Sequence, residues 1–354
     1  MSYLVAHLTE RHDITLLTLE RPDALSFYPL PDSVRQVCVD KLRGRGIRQL
    51  VRVLSRPFRI RREVRRLNPD IVVSFMDTMN VTTLISCLGL GIPVVVSERN
   101  DPALNRIGGL KELLRDRLYP LAQLVVTQTN RAARYFPLSL QPKLRIIPNP
   151  VPLSRLCAEP DKANAEGRLR VIAVGRLERQ KGFDQLIEAF GRIAHEQAQW
   201  DLTIIGEGPG RTQLEASVKR LDLDGRVLLP GIVRDMSSEL ATAHLMAFPS
   251  QYEGFPNALA EGLAVGLPAV GYHGVSGVED LIVDGKTGLL VDMGEGAIAL
   301  AGAMSTLMSD ARLRRQLGHA ARRHVTQWAP SDVLALWEEV LIEAARLVPK
   351  SDRR

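Results

Sequence analysis

Cysteine is scarce in this chain. Cys38, Cys87 and Cys157 are scattered along 354 residues, with no C-x-x-C pair and no close His/Cys cluster. That excludes a disulfide-stapled scaffold and a zinc module, and it fits a reducing cytoplasm. Aromatic residues make up only 5%, and in the basic stretch 41–66 only Phe58 interleaves, which argues against nucleic acid. An apolar leader is missing too: the chain opens MSYLVAHLTER, charged too early for a secretory h-region. Long apolar runs are also few. The uncharged stretch TMNVTTLISCLGLGIPVVVS (78–97) has the length of a membrane span. However, Asn80, several Thr and Ser residues and a Gly-Ile-Pro break favour a buried helix ending near Gly91, then a strand from Pro93 to Ser97.

What is present is a 45% hydrophobic chain with a formal net charge of +6. It is long enough for two cores, and its charge suits acidic partners. Short apolar runs alternate with longer amphipathic ones. In the first half the runs are ITLLTL (14–19), DIVVSF (70–75), PVVVSE (93–98), QLVVTQ (123–128) and LRIIPN (144–149). In the second half they are LRVIAVG (169–175), DLTIIG (201–206), RVLLPG (226–231), HLMAFPS (244–250) and PAVGY (268–272). Their β-branched character suits strands buried on both faces of parallel sheets, and the alternation suits doubly wound α/β units. The rhythm breaks after Ile147, where Pro148, Pro150, Pro152 and Pro160 fall within IPNPVPLSRLCAEPDKANAEGR. The expected organisation is a Rossmann-like domain over 1–150, a linker over 151–168 and a second Rossmann-like domain over 169–330, with a cleft between the domains for ligands. A helix from 331, within the segment 331–354, is expected to pack back on the first domain after the break at Trp328-Ala329-Pro330.

Chemistry concentrates in the second half. In VGRLERQKGFDQLIEAF (174–190), Arg176 and Lys181 follow a strand that ends at Gly175 and precede a helix with Phe183, Leu186, Ile187 and Phe190 on its apolar face. Two cations beside a helix N-terminus form an anion site suited to a diphosphate; a solvated Arg and Lys in a loop is the plainer alternative. Gly206, Gly208 and Gly210 in IGEGPGR (205–211) allow close backbone approach to a ligand, although a plain turn fits as well. In YEGFPNALAEGLAVGLPAV (252–270), Gly254 permits a turn and Pro256 suits the first helical position. The helix then runs from about Asn257 to Val265, stopped by Gly266 and Pro268. Backbone N–H groups of Phe255, Asn257 and Ala258 are expected to face an anion. Glu261 shares the helix face of Asn257 and can reach a ribose diol, with a cap or salt-bridge residue as the alternative, while Glu253 can meet a sugar, with an exposed loop acid as the alternative.

These stretches resemble glycosyltransferase family four, the retaining enzymes with the GT-B fold. The resemblance rests on GRLERQKG (175–182), GEGPG (206–210), EGFPNALAEG (253–262), GLP (266–268) and VDGKTGLLV (283–291), in that order, and covers nearly the whole chain. In the first half, VVVSERNDP (94–102) resembles the branch that builds exopolysaccharide and capsule repeat units. The resemblance implies two Rossmann-like domains facing across a cleft. It implies a hexose moved from a nucleoside-diphosphate sugar, expected to be a UDP-sugar, to a lipid-linked saccharide in surface polysaccharide synthesis. Arg176 and Lys181 would bind the donor diphosphate, Glu253 the donor sugar and Glu261 the ribose. The loop after Gly206, with Gly208, and the segment Gly231–Val233 would flank the base. Glu98, Arg99 and Asn100 would hold acceptor or sugar. The chain departs from the family at Gly262-Leu263-Ala264, where Ala-Met-Ala is usual, and in GYHGVSGVED (271–280).

No cofactor or metal is expected, because the two cations can neutralise a leaving diphosphate. Asp222-x-Asp224 reads as a solvated turn before Gly225. The stretch KLRGRGIRQLVRVLSRPFRIRREVRR (41–66) holds eleven Lys or Arg against the single acid Glu63, with Ile47, Leu50, Leu54 and Phe58 at helical spacing. One acid cannot neutralise eleven bases. Arg52, Arg56, Arg59, Arg61 and Arg62 are therefore expected to meet an anionic membrane surface or a lipid-linked diphosphate acceptor rather than nucleic acid, at the inner face of the cytoplasmic membrane. A solvated helix face is the alternative. A non-catalytic GT-B nucleotide- or saccharide-binding protein and a GT-B epimerase are the competing functions. Finally, Leu4, Val5 and Leu8 form a helical stripe ahead of the first strand. In the family a strand and a glycine-rich loop come before such a helix. In-frame coding sequence upstream of Met1 is therefore expected, with a shortened, inactive protein as the alternative.

Overall fold

The computed structural model describes residues 2–19, 30–39, 47–104 and 108–347. Its elements run α1 (Ser2–Leu8), β1 (Thr15–Thr18), β2 (Arg35–Cys38), α2 (Ile47–Leu54), α3 (Arg56–Leu67), β3 (Val72–Phe75), α4 (Asp77–Cys87), β4 (Val94–Ser97), α5 (Gly109–Leu118), β5 (Leu124–Thr127), α6 (Asn130–Arg134) and β6 (Leu144–Ile146). They continue with β7 (Leu169–Val174), α7 (Phe183–Ile193), β8 (Trp200–Ile205), α8 (Arg211–Arg220), β9 (Val227–Gly231), α9 (Met236–Ala241), β10 (Leu245–Phe248), α10 (Asn257–Ala264), β11 (Ala269–Tyr272), α11 (Val278–Leu281), β12 (Gly288–Val291), α12 (Gly296–Ser309), α13 (Ala311–His324) and α14 (Pro330–Arg346). Two compact units result: residues 1–148 with 330–354, and residues 149–329.

In the first unit all strand pairs are parallel. Strands β3-β4-β5-β6 form one sheet and β1-β2 another. Val94–Val96 and Leu124–Val126 are almost wholly buried, as β-branched strands covered on both faces should be. Helix α14 belongs to this unit through Trp337, which packs on Phe75 with ring centroids 5.6 Å apart, and through Glu338, which accepts from Arg11 at 3.0 Å. The stripe Leu4, Val5 and Leu8 is buried. Helix α4 stops at Cys87 rather than near Gly91, because Gly89 and Gly91 take left-handed φ values of 68° and 66°.

The second unit is built on a six-stranded parallel sheet in the order β12-β11-β10-β7-β8-β9. The chain winds outward from β7 through β8 to β9, then returns to the other side of β7 and winds outward again through β10, β11 and β12. β7 and β10 are therefore neighbours at the topological switch point, where the loops leaving their carboxyl ends diverge to opposite faces. Phe183, Leu186, Ile187, Phe190 and Ile193 of α7 are buried, following the helical period of the sequence.

Two strands escaped the sequence reading. β2 (RQVC) is four residues long and opens with two exposed polar ones; β12 (GLLV) lies inside VDGKTGLLV, read as a motif of the resemblance and not as a strand. The segment 151–168, read as a linker, contains no helix or strand but is sewn onto the second unit. Val151 N donates to Trp328 O (2.8 Å) and Ala158 N to Val265 O (2.8 Å). The buried Arg314 donates Nε to Pro160 O (2.6 Å), and its guanidinium lies over the Trp200 ring.

Candidate functional site

The loops after β7, β8 and β10 meet backbone against backbone. A Cβ on Gly206 would lie 1.9 Å from Gly175 O, one on Gly208 2.7 Å from Leu177 O and one on Gly210 2.8 Å from Leu177 O. These glycines thus seat one loop on another, a packing role for their bareness that the sequence reading did not include. A Cβ on Gly182 would lie 2.3 Å from Pro249 O, and Gly182 also has φ 64°, so the β7 loop is pressed equally hard on the strand end of β10. Gln180 fastens the two: its carbonyl accepts from Gln251 N (2.9 Å), and its Nε2 donates to Tyr252 O (2.6 Å). Sequence reasoning passed over Gln180, yet it aligns two loops that are 72 positions apart in the chain.

The alignment brings Lys181 to Glu253. Lys181 Nζ lies 2.5 Å from Glu253 Oε1, with side chains only 16% and 12% exposed, and sits over the Phe248 ring at 5.5 Å from its centroid. Arg176 stands apart: it is 71% exposed and donates to Glu178 at 2.8 Å. Helix α10 begins beside Glu253. Pro256 occupies its N-cap, not the expected first helical position, with φ −79° and ψ 95°. The first intrahelical bond comes from Ala260 N to Pro256 O, so the N–H groups of Asn257 and Ala258 have no partner among the described residues. Phe255, expected to offer its N–H, buries its ring edge-on to Trp328 at 5.6 Å. Gly254 keeps φ out of the left-handed region; the bareness this turn needs is at Gly277, whose Cβ would lie 2.6 Å from both Gly254 O and Pro256 Cδ.

Glu261 lies one turn into α10 with no side-chain partner among the described residues, and burial raises its carboxyl above the usual range. Gly262 departs from the family's alanine because Met246 Sδ fills the space: a Cβ there would lie 2.3 Å from that sulfur. Gly231 has φ 85° and accepts from Gly206 N (2.9 Å), while Val233 is part-buried against the core. The arrangement gathers charged side chains at a helix start. It has one cation held against a carboxylate and a second carboxylate within the helix.

In the first unit, Glu98 follows β4 and is 2% exposed, so it is a buried network member and not the contact residue expected. Asn80 Nδ2 donates to Ser97 O (2.9 Å) and to Tyr119 Oη (3.0 Å), and Tyr119 Oη donates to Glu98 Oε2 (2.8 Å). The Ser97 carbonyl can only accept, which fixes the Asn80 amide and leaves the tyrosine proton for Glu98. Burial pushes the Glu98 carboxyl up to about 7, with Asp77 adding to the rise. Arg99 and Asn100 are part-exposed beside it, and burial lowers the Arg99 guanidinium to about 10. Asp101, which the sequence reading missed, is fully buried; its Oδ1 accepts from Ala103 N (2.9 Å), and Arg131 stands 3.4 Å from its Oδ2.

The basic stretch forms α2 and α3; residues 41–46 and the side chains of Ile47 and Leu50 lie outside the described residues. Leu54 and Phe58 are 64% and 75% exposed, whereas Ile60 and Val64 are buried. Arg62 is 74% exposed beside Glu63, and Arg59 Nη2 donates to Arg52 O (2.5 Å). Arg52 and Arg56 are part-buried. Arg61 has a different role: Nη1 donates to Ser86 O (3.0 Å) and Leu88 O (2.5 Å), capping the end of α4. It therefore leaves the set of expected membrane cations. Asp222 has φ 53° and stands with Asp224 in the turn after α8. Among the described residues no group of three or more His, Cys, Asp or Glu is placed to hold a metal ion, and no helix is long and apolar enough to cross a membrane.

Comparison with known proteins bears on the family and the fold. The family model described as glycosyltransferase family 4 matches residues 1–155, and that described as glycosyl transferases group 1 matches residues 158–324. An exopolysaccharide phosphotransferase of Streptomyces coelicolor is 28% identical over 98% of the chain, which spans 40% of that protein's length. An α-1,4-N-acetyl-D-galactosaminyltransferase of Campylobacter jejuni, named for a saccharide on diphospho-undecaprenol, is 23% identical over 95% of the chain and 92% of its own length. Among solved structures, sucrose-phosphate synthase from Thermosynechococcus elongatus superposes with a TM-score of 0.79 at 19% identity, over 98% of this chain and 90% of that one. The Anabaena protein HepE, solved in complex with UDP, gives 0.73 at 18% identity over 87% and 86%. The parallel sheets, the switch-point loops and both family models agree: the chain belongs to glycosyltransferase family four and is a glycosyltransferase of the two-domain GT-B fold.

Proposed function

We propose that this glycosyltransferase moves a hexose, with retention, from a UDP-sugar to a lipid-linked saccharide in surface polysaccharide synthesis at the inner face of the cytoplasmic membrane. The observation that carries the donor reading is the meeting of Lys181, Glu253 and the start of α10 at the switch point. Lys181 would stabilise the departing diphosphate together with the N–H groups of Asn257 and Ala258. One such cation about 4 Å from a phosphate charge is worth roughly 4 kcal/mol at an effective dielectric near 20. Arg176, on its exposed loop, would add a second positive charge. Glu253 would meet the sugar and Glu261 the ribose diol, with the Gly206–Gly208 loop and Gly231–Val233 flanking the base. The donor β-phosphate would assist deprotonation of the acceptor hydroxyl on the same face, so neither a separate base nor a metal is required.

The acceptor reading is supported by relatives named for undecaprenol-linked saccharides and by the part-exposed Arg99 and Asn100. The membrane reading is supported by exposed Leu54 and Phe58 beside the cations of α2 and α3. The test is a screen of UDP- and GDP-sugars against isolated lipid-linked oligosaccharides. Transfer from a UDP-hexose is the expected result. Nucleotide binding without turnover of any donor would contradict the proposal.

A further inference from the structure

We propose that Asn149 is a positioning residue for the start of α10, holding the Asn257 amide in the orientation that serves an anion. The inference rests on the reading of this turn as the diphosphate site. Asn149 Nδ2 donates to Asn257 Oδ1 (2.6 Å) and reaches Phe255 O (3.5 Å). The Phe255 carbonyl can only accept, so the NH₂ edge of Asn149 must face the turn. Asn257 must then offer Asn149 its oxygen, which leaves its own Nδ2 as the edge turned away. Asn257 is exposed at the helix start, beside its own N–H and that of Ala258, which have no partner among the described residues. A donor edge there adds to an anion site; an oxygen edge would repel the anion. Asn149 selects between the two.

Asn149 is itself held in place. Two residues on, Val151 N donates to Trp328 O (2.8 Å), and the Trp328 ring lies edge-on to Phe255 (5.6 Å) and to His324 (5.2 Å). The first and last stretches of the unit thus converge on this turn, and Gly277 presses on it from the next loop.

The experiment is calorimetric titration with UDP and GDP of the wild type, Asn149→Ala, Asn257→Ala and the double variant, with melting curves alongside. Asn149→Ala should weaken nucleotide affinity about 5–30-fold, the range for losing one or two hydrogen-bonding contacts. Its Tm should stay within about 2 °C, since the bond lies at the surface. The double variant should bind no more weakly than Asn257→Ala, because Asn149 acts through Asn257. Near-isosteric Asn149→Asp should also weaken binding, since its carboxylate draws the Asn257 NH₂ inward. Unchanged affinity in both Asn149 variants, or effects that multiply in the double variant, would overturn the proposal. Failure of the wild type to bind either nucleotide, or indifference of Asn257→Ala, would instead overturn the donor reading beneath it.

Discussion

At the scale of single residues, Lys181 and Glu253 form a nearly buried ion pair at 2.5 Å. Breaking such a pair leaves the surviving charge stranded, so a lone substitution at either position carries a stability cost in addition to any effect on chemistry. We expect Lys181→Ala to lower turnover about 10²–10³-fold, the range for a preorganised charge stabiliser. Arg176→Ala should act in the same direction. Steady-state kinetics check both, and near-normal rates in the two variants would remove the diphosphate assignment. Glu261 has a different place. It stands within α10 without a partner among the described residues, where a ribose contact would be shared by ground and transition states. Glu261→Ala should therefore weaken nucleotide binding more than it slows the bound complex. An unchanged nucleotide Kd would refute the ribose role.

At the scale of elements, the end of β4 carries a carboxyl that titrates near neutral pH. Glu98 is buried and accepts from Tyr119, with Asp77 raising and Arg115 lowering its proton affinity. Its carboxyl moves from an ordinary 4.5 to about 7 in the folded protein. A raised folded value means that the folded state holds the proton more tightly. The stabilising contribution is complete below about pH 4.5 and is lost as the pH rises through about 7. The full shift is worth on the order of 3 kcal/mol. Glu98→Gln keeps an acceptor for Tyr119 without the charge. Relative to wild type it should gain a few degrees in Tm between pH 5 and pH 8. A Tm difference that does not change with pH would contradict this. The elements also show where sequence signals stop. The strand DIVVSF and the α7 stripe are written in runs that burial alone dictates. The four-residue β2 has no apolar majority to announce it. Arg61 looks like its neighbours in a charge run, and only the end of α4 assigns it to Ser86 O and Leu88 O.

At the scale of the whole molecule, sequence motifs locate the switch-point loops because glycine, proline and charge sit at fixed offsets from strand ends. They do not tell which glycines face a ligand and which face another loop. Gly206 and Gly208 proved to be spacers against Gly175 and Leu177. Asn149 and Gln180 were invisible because their partners lie 108 and 72 positions away. The exposed apolar and basic surface of α2 and α3 leads to a prediction for the intact protein. Binding to anionic liposomes should weaken in Arg59→Glu and Arg62→Glu by about 1 kcal/mol for each lost cation. It should also weaken in Phe58→Asp, while Arg61→Ala should lower Tm instead. Equal co-sedimentation with neutral and anionic vesicles would contradict the membrane reading. The central claim is retaining transfer from a nucleoside-diphosphate sugar at the Lys181–Glu253 site. Its most direct test is NMR of the product formed from an α-linked UDP-hexose and a lipid-linked oligosaccharide with EDTA present. An α-linked product from the wild type, lost in Lys181→Ala, is the predicted result; a β-linked product, or no product from any donor that binds, would contradict it.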